Sequence, residues 1–60
     1  MTFTKEQLTQ IKLALCEHIT ECAGQIGMAN QADWPEAAAM WTKAYTDTVE
    51  ALRILNEEEA

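Results

Sequence analysis

Near the middle of the chain the residues run Asn30-Gln31-Ala32-Asp33-Trp34-Pro35-Glu36, and this short stretch reads as a stop, a turn and a start. Asparagine tolerates the left-handed backbone conformation that closes helices, so Asn30, Gln31 and Ala32 are expected to form a short turn. Asp33 stands three residues ahead of Glu36, the spacing of a capping box. Pro35 falls in the first turn, where its missing N–H costs nothing. A second helix is therefore expected to start at about residue 33.

Upstream, Thr4 and Gln7 have the same box spacing, with Phe3 and Leu8 placed to form a hydrophobic staple around it. From there Leu8, Ile11, Leu15, Ile19, Cys22 and Ile26 recur at intervals of three and four, which sets them on one helical stripe. Gly24 and Gly27 each weaken a helix by roughly 1 kcal/mol relative to alanine. The first helix is accordingly expected over about 4–28, the turn over about 29–32 and the second helix over about 33–57. On the second, Trp34, Ala37, Ala38, Trp41, Ala44, Tyr45, Thr48, Val49, Leu52 and Leu55 fall on one broad face, with Trp41 and Tyr45 expected in the core.

Two helices joined by a turn of about three residues run antiparallel. The expected fold is therefore an all-α, antiparallel two-helix hairpin forming one domain over residues 1–60. Its layers would set Leu8 by Leu55, Ile11 by Leu52, Leu15 by Val49, Ile19 by Tyr45 and Cys22 by Trp41. The closing Glu57, Glu58 and Glu59 oppose the helix dipole and are expected to fray into solvent.

A chain of 60 residues buries only about 60% of the surface that its unfolded form exposes, so a lone core is thin. A disulfide does not help. Cys16 and Cys22 on one helix would point about 120° apart and stand about 9 Å apart along the axis, too far for a bridge. Unpaired thiols fit a reducing cytoplasm. Self-association into a helical bundle is the remaining source of stability, and a dimer is expected. Leu13, Met40 and Ile54 are the large apolar residues that the hairpin core does not use, and Ala44 with Ala51 gives a strip of small residues where another helix can approach. Leu13, Met40, Ala44, Ala51 and Ile54 are thus the expected self-association residues. Trp34, beside the turn, either caps the end of the hairpin or touches a partner.

Ten acidic against four basic residues give a formal charge of −6, which repels phosphate backbones and anionic lipid surfaces. Neither nucleic acid nor membrane is an expected partner. The first residues carry no basic run followed by an apolar one, and no stretch is apolar enough to span a bilayer, so a cytoplasmic location is expected. The acidic surface suits a partner protein with a basic surface, for which Glu17, Glu21, Glu36, Asp47 and Trp34 are the candidate contacts. Acids on a rigid rod also suit mimicry of DNA, although lysines lie scattered among them.

His18 and Cys22, four apart on one helical face with Glu21 adjacent, are the nearest approach to a metal site. Zinc takes four ligands, so a site would need two chains. No metal or cofactor is expected. A two-helix hairpin offers no cleft to shield a nucleophile, and carboxylates such as Glu17 and Glu21 lie on a solvated face, so no catalytic activity is expected either.

Opened by Thr4-Lys5-Glu6-Gln7-Leu8 and built as one acidic hairpin, the chain resembles in general character the small accessory proteins of bacteriophages and mobile elements. The resemblance implies a stoichiometric inhibitor or modulator of a host protein, for instance of a defence or nucleic-acid-processing system. A structural subunit or adaptor of a larger heteromeric assembly is the alternative.

Overall fold

The computed structural model describes residues 3 to 59, which form two α-helices, α1 (Lys5–Gln31) and α2 (Pro35–Glu59), packed against each other as a hairpin. Helix α1 begins where its box predicts. The Thr4 hydroxyl accepts a hydrogen bond from the Gln7 N–H at 3.0 Å, and the Thr4 N–H donates to the Gln7 side-chain oxygen at 2.9 Å. Two of the otherwise unpaired donors of the first turn are satisfied in this way.

The helix then runs three residues beyond the expected end at Met28. Gly24 and Gly27 neither end nor interrupt it. Ile26, between the glycines, is half-buried and Ala29, beyond them, is buried, so carrying the helix through both glycines keeps these two apolar side chains in the seam. Packing of this kind outweighs a propensity cost of roughly 1 kcal/mol per glycine.

The reversal uses a different residue from the one the sequence suggested. Asn30 stays helical, and Asp33 takes the left-handed conformation with φ 53°. The Trp34 N–H donates to the Ala29 carbonyl at 2.8 Å and the Asp33 N–H to the Asn30 carbonyl at 3.1 Å. That pair of bonds is the Schellman closure, with Ala32 as C-cap and Asp33 just past the end. Asp33 therefore closes α1 instead of opening α2, and the expected box with Glu36 gives way to this closure. The first bond of α2 runs from the Ala38 N–H to the Trp34 carbonyl at 3.1 Å, and Pro35 occupies the first helical position, where it needs no partner.

The core is a single seam. Cys22 is completely buried, Ala29 and Thr48 are nearly so, and Leu8, Ile11, Leu15, Ile19, Trp41, Leu52 and Leu55 are half-buried. Thr48 is tolerated at the centre because its hydroxyl donates to the Ala44 carbonyl at 2.7 Å, one turn back on its own helix. Tyr45 and Val49, expected inside, are 38% and 40% exposed. Two rods touch only along facing arcs, so with Thr48 at the middle of the α2 arc, Tyr45 and Val49 fall to its margin.

The molecule measures 43 × 15 × 14 Å and has a radius of gyration of 13.8 Å. A compact domain of this length would have about 10 Å. Its accessible surface is 4643 Å², whereas a compact monomer of 6.7 kDa exposes about 3,900 Å². Roughly 700 Å² more surface faces water than globular packing would leave.

Candidate interaction surfaces

The rod has two long edges, one on each side of the seam, and they differ in chemistry. At about 100° per residue, the positions of each helix divide into those that turn from the seam toward one edge and those that turn toward the other. Because the two helices run antiparallel, the flanks reached by turning the same way from each seam lie side by side.

The first edge carries Glu21 and Met28 from α1 and Met40, Asp47, Ala51 and Ile54 from α2. Met28 is 63% and Met40 60% exposed, and Ile54 is exposed as well. Glu17 and Glu36 lie on its outer rim. Four of the expected self-association residues therefore form one strip along α2: Met40 and Ile54 outermost, Ala44 and Ala51 half-buried toward the seam. Leu13 does not join them. It is exposed, but nine positions from Cys22 place it about 180° around α1, on the back of the hairpin. All four acids named as partner contacts, Glu17, Glu21, Glu36 and Asp47, accompany the Met40–Ile54 strip, so the sequence-based division between a self-association set and a partner set does not correspond to two separate surfaces.

The second edge carries Lys12, Cys16 and Ile19 from α1 and Ala38, Thr42, Tyr45, Val49, Leu52 and Arg53 from α2. Between Lys5 and Asn56 no acidic position turns toward it. An open hollow of about 450 Å³ lies on it, lined by Val49, Leu52, Arg53, Asn56 and Glu57, the last reaching in from the outer face. Arg53 is held on its own helix by Glu50 and by Glu57, the latter at 2.6 Å. The Arg53 hydrogen bond keeps the Glu50 carboxyl below the ordinary glutamate range. Glu57 is thereby tied to its helix and not frayed from it. This edge went unnoticed in the sequence because Tyr45 and Val49 keep the core periodicity; the signal that marks it is the absence of acids, visible only once both helices are set side by side.

Trp34 sits over the end of the rod, 60% exposed, beside a hollow of about 270 Å³ lined with Gln25, Met28, Ala29, Ala32, Ala37 and Trp41. It covers the turn partially and leaves most of its ring to solvent. A third hollow, of about 410 Å³, lies at the other end between Phe3, Glu6, Gln7, Gln10 and Ile11.

The Cys22 thiol lies 3.6 Å from His18 Nε2, the contact that their four-residue spacing predicts. Among the described residues no three His, Cys, Asp or Glu side chains come together as a metal-binding group, and no helix is long and apolar enough to cross a membrane. Cys16 is exposed and both thiols are free. No protein-family model, curated protein or solved structure matches the chain.

Proposed function

We propose that the chain is a non-catalytic protein-binding hairpin that acts stoichiometrically on a partner protein, as an inhibitor or modulator. The observation that supports this reading is the edge on which Met40 and Ile54 stand exposed among Glu21, Glu36 and Asp47. Apolar side chains supply contact area, and the carboxylates around them favour a partner whose groove is apolar within and basic at its rim. A helical ridge carrying anchors in register suits such a groove, since alternate turns present their side chains in one line.

The test is capture by the tagged chain in the cell that makes it, beside Met40→Lys and Ile54→Lys variants. A partner bound in a fixed ratio, lost with both variants and inhibited on binding, supports the proposal. A partner that keeps its activity and is always found with the chain makes it a structural subunit instead. A partner retained by both variants shows that this edge is not the binding surface.

A further inference from the structure

We infer that the acid-poor edge is where two copies of this chain meet, forming a four-helix bundle around Tyr45 and Val49. The inference is independent of the proposed partner, which meets the opposite edge.

Charge selects the edge. A two-fold symmetric contact sets each surface patch against its own copy, so every acid in the patch enters the contact twice. With a formal charge of −6, a chain that paired through Met40 and Ile54 would bring the carboxylates of Glu21 and Glu36 into that contact, beside Asp47, which is paired with Lys43 at 2.9 Å. Like charges facing each other across an interface are costly. The Tyr45 edge brings only Glu57, at the margin of its hollow, and that carboxylate is bound to Arg53. Its one strong cation among the apolar residues of α2, Arg53, is already neutralised by Glu50 and Glu57.

Desolvation favours the same edge. The Thr42 hydroxyl donates to the Ala38 carbonyl at 2.7 Å. This side chain keeps its hydrogen bond when water leaves, and so adds little cost to burial. The whole rod, both edges together, exposes roughly 700 Å² more than a compact chain of its mass, the same order as the ~800 Å² that each partner buries in an interface of standard size. Tyr45 and Val49, at the margin of each seam, become the centre of the bundle.

Sedimentation equilibrium of the purified chain at tens of micromolar tests this. The expected mass is twice the 6.7 kDa of one chain. Tyr45→Glu is expected to weaken association at least about thirty-fold, the scale of an interface hot spot, while circular dichroism still shows helix. Leu13→Glu, on the back of α1, leaves the mass doubled. Should Tyr45→Glu fail to fold, 3-fluorotyrosine in the otherwise unaltered chain reports on the same residue, since Tyr45 is its single tyrosine. Its fluorine resonance is expected to move on dilution as the ring returns to water. A monomeric wild-type chain, a fluorine signal unchanged by dilution, or a dimer broken by Met40→Glu and not by Tyr45→Glu would overturn the inference.

Discussion

Asp33 turns the chain with φ 53°, a conformation in which a Cβ is crowded and which glycine occupies freely. Replacing it tests how much of the turn depends on that residue. Asp33→Gly relieves about 1 kcal/mol of crowding and loses a similar amount to the freer unfolded chain, so its stability is expected to stay within about 0.5 kcal/mol of wild type. Asp33→Val, branched at the crowded atom, is expected to cost at least about 1 kcal/mol in urea unfolding. At the other end of α1, Thr4→Ala removes the side-chain half of the box and is expected to cost about 1 kcal/mol in the same assay. The first helix start was easier to read than the turn. Thr4 and Gln7 announce themselves by spacing, whereas Asn30 and Asp33 are both residues that tolerate the left-handed region. Choosing between them depends on whether Ala29 is worth keeping in the helix, which is a matter of packing against α2.

Within α1, Gly24 and Gly27 remain helical only because their neighbours pack. A methyl group added at either would meet nothing within 4 Å. Gly24→Ala and Gly27→Ala are each expected to raise stability by about 1 kcal/mol and the melting temperature by roughly 4–8 °C. In α2, Glu50 and Glu57 flank Arg53 on an exposed face, and such exposed networks respond to pH more visibly than to unfolding. The carboxyl of Glu50 has a folded pKa below its unfolded one, so its contribution is present above the ordinary glutamate range and disappears as pH falls through the folded value. Carboxyl carbon resonances followed with pH are expected to show Glu50 titrating low and to return it upward in Arg53→Ala. The two helices were legible from periodicity, but the width of the face each one buries was not. A stripe counted on one helix takes in Tyr45 and Val49, and only the curvature of the opposing rod excludes them.

At the scale of the whole molecule, shape decides what is left exposed. A rod 43 Å long and 15 Å wide has one seam and two flanks, and each flank keeps large apolar side chains in water. That surplus was foreseeable from the length of the chain and its count of apolar residues. How it divides was not, because the division depends on which flank of α1 lies beside which flank of α2. Met40 and Ile54 read as spare residues on a helical wheel, and the structure adds that several acids accompany them, while on the Tyr45 edge only Glu57 reaches in, bound to Arg53. On that difference rest both proposals, a basic partner for one edge and a second copy for the other.

Thermal unfolding of the purified chain at concentrations a hundredfold apart tests most directly whether the hairpin completes its fold by association. A chain that folds as a dimer gains stability by mass action, so the midpoint is expected to rise by roughly several degrees over that range. A midpoint that stays fixed across it, with helix and cooperativity intact, would show that one hairpin is stable by itself and that no second copy completes it.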